Sequence, residues 1–285
     1  LLRVSDNKIW LRGGRCWLRA MLSQWSGEER LHANVLTPVL ISGKQGLSKS
    51  TFCRLLMPDS LRHYFIDNLN LTAGSSPEKK LVKNGLINLD EFDKIKESQQ
   101  ATLKNLLQMV NVPVFRGKRL GWVNESRLAS FIATTNVYQV LIDSTGSRRF
   151  LCVEVLKPIS EEPLEHKQIY AQLKEELKSG APDYLNKEEE KALQKHNKAY
   201  YRQSLLEDVF HCCFRHPLET EKGIWLTTAE IFQVMRKFNS AALKEVSARQ
   251  LGLKLSAMGY MAKHTSFGNR YYVFNLSAEK KEVSL

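Results

Sequence analysis

The sequence predicts an α/β core on a largely parallel sheet, joined through a helical connector to a small winged-helix-like α+β domain. Two observations place the core. Short apolar runs bounded by turn residues alternate with helical patterns through the first half of the chain, and the first run leads directly into a glycine-containing loop and then a helix. A third observation places the small domain: from Leu205 the composition turns apolar and aromatic again, in the order helix, helix, two-stranded wing. The expected boundaries are a core with an N-terminal helix over 1–156, a connector over 157–204 and a C-terminal domain over 205–285.

Lys8 to Trp25 carries Ile9, Leu11, Trp17, Leu18, Met21, Leu22 and Trp25 at helical spacing with basic residues between, which predicts an amphipathic helix. The abrupt start at Leu1 reads as the cut end of a longer chain. Val35 to Ser42 is a short apolar strand ending at Gly43, and Ser50 to Met57 is helical until Pro58 stops it. His63 to Asp67, Gly85 to Asp90 and Arg127 to Thr134 read as further buried strands, with helices over Pro77 to Val82 and Ser98 to Val110 between them. Val112 to Phe115 and Leu120 to Val123 surround Arg116, Gly117, Lys118 and Arg119, the pattern of a hairpin with a basic tip. Phe150 to Val155 is β-like, and Glu161 to Arg202 has the mixed charge of a solvated helical connector. Thr227 to Phe238 and Ser247 to Met258 are helical; Tyr260 to Lys263, a turn at Ser266 to Asn269, and Arg270 to Asn275 form the wing.

Composition sets limits. The 285 residues, 43% apolar and 25% charged, are ordinary for a globular protein, whereas a net charge of +12 points toward an acidic partner such as nucleic acid. Five cysteines, without C-x-x-C spacing, fit reduced thiols in a cytoplasm better than a disulfide framework or a zinc site. His211, Cys212, Cys213 and His216 come nearest to a metal cluster, but the apolar spacing of Leu205 to Phe214 reads as a buried helix. No apolar run approaches the ~20 residues needed to span a bilayer. Arg12, Arg15 and Arg19 interrupt any apolar signal core.

The strongest chemical signal is Gly43-Lys44-Gln45-Gly46-Leu47-Ser48-Lys49-Ser50-Thr51, which fits the phosphate-loop pattern except that Ser48 stands where a second glycine is expected. Such a loop needs converging backbone N–H groups, a helix N-terminus behind them, a lysine as a point charge and a hydroxyl for magnesium. These requirements predict a P-loop NTPase core binding ATP and Mg2+. About forty residues on, Leu86-Ile87-Asn88-Leu89-Asp90-Glu91 sets two carboxylates at a strand end. Asp90 there can join Ser50 in holding the metal, and Glu91 can orient or deprotonate the attacking water. Phe131 to Asn136 is another strand; lying beside the acidic one, it would turn Asn136 toward the γ-phosphate. Arg148 and Arg149 follow, with guanidinium forks suited to phosphate oxygens.

Together these residues resemble the virulence-associated E family of P-loop proteins, relatives of the superfamily 3 helicases of viruses and phages, found on bacterial mobile elements. The resemblance covers roughly Trp10 to Val155. It is carried by G-K-Q-G-L-S-K-S-T, F-I-D-N at Phe65 to Asn68, L-I-N-L-D-E-F-D at Leu86 to Asp93, T-T-N at Thr134 to Asn136, and D-S-T-G-S-R-R-F at Asp143 to Phe150. It implies an ATPase that assembles into a ring, for instance a hexamer, with Arg148 or Arg149 as a finger reaching a neighbouring subunit. Members of the family often carry a primase-like region upstream, and none is visible here. The tail from Leu205 is similar to small domains that follow this core in relatives, particularly those of the Bacteroides group.

The basic stretch around Arg116, Lys118 and Arg119 falls where superfamily 3 helicases place loops that grip DNA; a solvated hairpin tip is the competing reading. In the tail, Lys222, Arg236, Lys237, Lys244, Arg249, Lys254, Lys263 and Arg270 face only Glu230 and Glu245, which leaves both a DNA-binding and a protein-contacting winged helix open. Three functions compete: a DNA-stimulated, helicase-like ATPase in replication of a mobile element, a nucleotide-gated DNA-binding initiator or switch that unwinds nothing, and a small-molecule kinase. The kinase reading lacks a visible lid and leaves T-T-N and the arginines without a purpose.

Overall fold

The structure, a computed structural model, describes residues 2–27, 31–72, 75–142, 147–202, 205–218, 220–244, 246–266 and 268–276. It divides into two compact units, Leu1–Tyr201 and Arg202–Leu285.

The first unit opens with α1 (Asn7–Trp25), capped by the Asp6 carboxylate, which accepts from the Ile9 N–H at 3.0 Å. There follow β1 (Thr37–Ile41), α2 (Lys49–Leu55), β2 (Phe65–Asp67), α3 (Glu78–Lys83), β3 (Leu86–Leu89), α4 (Glu97–Gln108), the pair β4 (Asn111–Phe115) and β5 (Trp122–Ser126), then β6 (Ser130–Thr135) and β7 (Phe150–Glu154). Five strands form one sheet in the order β2-β3-β6-β1-β7, and every pairing is parallel. A parallel sheet carries helices on both faces, so its strands read as continuous apolar runs. Alternate residues of β1 accordingly enter different cores. Val39 and Ile41 join Phe92, Leu103, Leu107 and Phe131 on one face, whereas Leu40 joins Trp17, Met21, Phe52 and Leu56 on the other. Gly13 lets α1 press on β7, since a Cβ there would lie 2.8 Å from the Leu151 side chain.

Three expectations need correction. The strand expected over His63 to Asp67 shortens to Phe65–Asp67, because Asp59–Tyr64 winds into a 3₁₀ turn after Pro58. Arg127 lies outside β6: its buried guanidinium donates to the carbonyls of Leu106 and Leu107 at the end of α4, and to those of Ala129 and Asn34. The segment expected as a separate connector belongs to the first unit. Its helices, α5 (His166–Lys178) and α6 (Lys187–His196), supply the acids that α1 lacks. Arg19 pairs with Glu176 at 2.9 Å, Arg15 with the same carboxylate, and Arg12 with Glu189. Leu193 and Tyr170 enter the apolar core beneath them.

The second unit contains α7 (Leu205–Cys213), β8 (Phe214–Arg215), β9 (Ile224–Thr227), α8 (Thr228–Phe238), α9 (Ala248–Ala257), β10 (Ala262–Thr265) and β11 (Gly268–Asn275). Both β9 and β10 pair antiparallel with β11, the latter as a hairpin, which completes the winged-helix arrangement expected from the sequence. Thr227 and Ser247 each accept from the third helical N–H in a capping box, fixing the starts of α8 and α9. Phe210 and Cys213 of α7 are fully buried, as the apolar spacing required, and the described residues contain no metal-ligating cluster of His, Cys, Asp and Glu. Among the described residues no helix is long and apolar enough to cross a membrane.

Candidate nucleotide site

The loop Gly43 to Ser48 leaves the C-terminal end of β1 and delivers Lys49 at the first position of α2. Two residues carry its turn in the left-handed region: Gly46 at φ 76° and Ser48 at φ 58°, ψ 30°. The second is the position where the phosphate-loop pattern has glycine, which is the residue that adopts this conformation without strain. Gly43 meets a different demand, because a Cβ there would come within 3.0 Å of the Tyr138 ring.

Lys49 is buried, and its ammonium donates to Ser42 Oγ at 2.5 Å and Asn136 Oδ1 at 2.8 Å. Burial holds it below the ordinary lysine value, with the Asp90 carboxylate opposing. Ser50 Oγ donates to Asp90 Oδ1 at 3.2 Å, and the Thr134 hydroxyl donates to the same oxygen. A hydroxyl and a carboxylate this close are hard oxygen donors of the kind Mg2+ takes alongside water and substrate phosphates. The residues therefore fit that ion.

The parallel register explains the convergence. β6 lies between β1 and β3, so Asn136, Asp90 and the phosphate loop all follow the C-terminal ends of adjacent strands. Lys44, Gln45 and Gly46 line the exposed outer side of the loop, with Leu47 half-buried and Thr51 exposed beyond Ser50. Glu91 differs from its neighbour Asp90. It sits at φ 52°, ψ 48°, is largely exposed, and pairs with Lys94 at 2.7 Å.

Arg148 and Arg149 are not brought to this site. Both lie in a short turn before β7, whose first residue, Phe150, pairs with Thr37 at the start of β1. They are thus at the opposite end of the sheet from the loop that follows Ile41. Arg148 is exposed and bonds Glu190 of α6 at 3.1 Å. Asn197 donates to the carbonyls of Ser147 and Phe150 at 2.8 Å, and Tyr201 donates to Ser147 Oγ, so the expected connector holds the arginine turn. Asp143 to Gly146 of the same segment lie outside the described residues. In the β4–β5 hairpin Arg116 is taken by Glu125 across the strands, while Lys118 and Arg119 stay exposed at the tip. Phe115 and Trp122 stand beside them, exposed, with ring centroids 5.6 Å apart.

Several site residues had no assigned role in the sequence. Thr135 donates to Asp93 Oδ1 at 2.5 Å; both stand inside quoted motifs, T-T-N and L-D-E-F-D. Tyr138, two residues past Asn136, covers Gly43 and donates to the Glu154 carboxylate. Glu161 accepts from Ser48 Oγ at 2.6 Å across 113 residues, and no local pattern could have revealed that pair.

A phosphate-type loop, its lysine, a hydroxyl–carboxylate pair and a polar strand end, set on a parallel sheet, define a P-loop NTPase fold. Residues 13–202 match the virulence-associated protein E-like domain, more than half of the chain, and the protein belongs to that family. Residues 203–273 match a domain of unknown function described from B. theta, DUF3874. No curated protein matches the chain. Similar solved structures include the apo structure of the NrS-1 C-terminal region (305–718), 12% identical over 93% of this chain and 71% of that one, with a TM-score of 0.43. The A form of that apo region is 14% identical over 94% and 71%, also at 0.43.

Proposed function

We propose that the first unit binds ATP with Mg2+ and hydrolyses it, in a ring of copies of this chain that acts on DNA during replication of a mobile element. The carrying observation is the convergence of Lys49, Ser50, Asp90 and Asn136 at the ends of three adjacent strands. Lys49, already desolvated, supplies a positive charge to the β- and γ-phosphates in exchange for its contacts with Ser42 and Asn136. Ser50 and Asp90 would hold the metal, which would supply positive charge to the transferring phosphoryl group. Asn136, released by Lys49, would report the γ-phosphate. Glu91, free to swing because it is exposed, orients the attacking water once it leaves Lys94. The exposed Lys118 and Arg119, with Phe115 and Trp122 beside them, suit a single strand, whose phosphates need cations and whose bases stack on rings.

The test is ATP hydrolysis with and without single-stranded DNA, with oligomer mass recorded in the same buffer. Lys49→Ala is expected to abolish ATP binding, and Glu91→Gln to retain bound ATP while blocking turnover. Equal loss of binding in both would show that Glu91 has another role. The Glu91–Lys94 pair also favours a second reading, a nucleotide-gated initiator whose catalytic carboxylate is held back until a signal releases it. Hydrolysis without strand displacement selects that reading.

A further inference from the structure

We propose that the second unit docks on duplex DNA, with α9 in the major groove and the β10–β11 wing against the neighbouring backbone. The first support is the way charge is sorted within the unit. Two of its acids near α7 and β8 are neutralised locally: Glu207 by Lys254 at 2.7 Å, and Glu221 by Arg215, which holds that carboxyl down at about 2. The cations of the other side are exposed and make no ion pair among the described residues. Arg236 and Lys237 close α8, Lys244 lies in the connection to α9, and Arg249 opens α9. Lys263 of β10 is steadied over the Trp225 ring, 4.8 Å from its centroid.

The spacing of these groups supplies the second support. Gly259, at φ 81°, turns the chain from the end of α9 toward β10 three residues later, so Lys263 lies beyond one end of the helix, while Arg249 opens the other end and Lys244 precedes it in the chain. Ten residues of helix span roughly 15 Å at 1.5 Å each. That length is comparable with a major groove about 12 Å wide, so the two cationic ends can meet phosphates on both of its walls. The outward face of α9 fits a base edge better than a protein groove. Its core face is Leu251 and Leu255, both fully buried, whereas its exposed residues among those described are Ala248, Arg249, Gln250, Leu253 and Ser256, with Leu253 the one large apolar side chain among them. Partner helices use apolar anchors at i, i+3, i+4 and i+7, and one leucine does not make that stripe. Arginine reads guanine, and an isolated leucine suits a thymine methyl.

The experiment measures binding of the full chain to a fluorescent duplex of mixed sequence, without nucleotide and at several salt concentrations, so that the ATPase reading can fail independently. In Lys237→Ala/Lys244→Ala/Lys263→Ala, loss of three phosphate contacts should weaken binding about tenfold or more and flatten the log–log salt slope by about three. Arg249→Ala should cost about tenfold on preferred sequences and relax the preference. The Lys→Arg triple, which preserves the charge, should bind like the parent, and melting curves should show all variants folded. Single-strand binding should be unaffected. Duplex binding unchanged in the alanine triple, or an equal loss on single strands, overturns the proposal; so does a parent that forms protein assemblies through this face and shows no salt-dependent duplex binding.

Discussion

Replacing Ser48 by glycine and by alanine separates backbone strain from hydrogen bonding in the phosphate loop. Ser48 occupies the left-handed region at φ 58°, ψ 30°, which costs a residue with a Cβ about 1–2 kcal/mol. Glycine removes that strain but loses more chain entropy on folding, about 0.4–1 kcal/mol. Both replacements delete the bond to Glu161, an exposed contact of 2.6 Å worth about 0.5–1 kcal/mol after solvent screening. For Ser48→Gly the sum lies within about 1 kcal/mol of zero, because relief offsets both losses. Ser48→Ala keeps the strain and loses the bond, so it should fall about 1 kcal/mol below the glycine variant, equivalent to ~2–4 °C in Tm for a unit of this size. Thermal denaturation without nucleotide reads the order, and ATP titration reads the function. Ser48→Gly should shift ATP affinity by less than about tenfold, because the backbone N–H serves the phosphate in either residue. Equal stability of the alanine and glycine variants refutes the strain argument. A gain in affinity well beyond tenfold shows that the serine loop is malformed for its ligand.

Three further outcomes are expected. Arg148→Ala/Arg149→Ala should bind ATP almost normally and lose roughly three powers of ten or more in turnover; mixing it with Lys49→Ala subunits under exchange should restore activity, and mixed assemblies confirmed by mass without turnover refute a shared site. Lys49 is held below its ordinary value of 10.5 by burial, so just below that pH the folded state binds fewer protons than the unfolded one, and stability rises with pH there. The stability of the parent relative to Lys49→Met should therefore climb toward pH 10.5 in urea titrations, and a decline over that window refutes the burial argument. Arg127→Met should destabilise the first unit by about 2–4 kcal/mol, because it leaves the carbonyls of Leu106, Leu107, Ala129 and Asn34 without this donor; a change below ~1 kcal/mol in chemical denaturation refutes the capping role.

What was legible in the sequence is what local pattern encodes. A buried parallel strand reads as an apolar run, so β1, β3 and β6 announced themselves, whereas the placing of β6 between β1 and β3, which sets Asp90 and Asn136 at adjacent strand ends, came from the sheet order and was only a condition in the sequence. Pairings set by tertiary contact were not legible. Mixed charge over α5 and α6 looked like solvation because their partners, Arg12, Arg15 and Arg19, lie some 160 residues away in sequence. Arg116 looked like a free cation because nothing in the local pattern shows that its side chain reaches across the hairpin to Glu125, whose register partner is Val112. Arg127 looked like the start of a strand because a cation among apolar residues gives no sign of the helix end it caps.

The position of the arginine turn carries an argument about assembly. Thr37 pairs with Phe150 and Ile41 with Glu154, so the loop after Ile41 and the arginines before Phe150 are separated by the full length of β1. Five strand residues at ~3.3 Å each span about 16 Å, too far for either side chain to cross to its own loop. A finger role for these residues therefore requires another copy of the chain, with the arginine end of one sheet against the loop end of the next. That contact is heterologous, the head-to-tail kind that closes into a ring when the rotation permits. The supports of the turn suit such a role. Asn197 fixes its backbone at both ends, and Tyr201 fixes Ser147, so the geometry of the turn is set by the body of the subunit. The Arg148–Glu190 bond, being half-exposed, is weak enough to yield to a γ-phosphate brought by a neighbour. On this reading the end of α6 and the residues after it have a mechanical purpose that their composition concealed: Glu190, Asn197 and Tyr201 brace the turn that a neighbouring copy would meet.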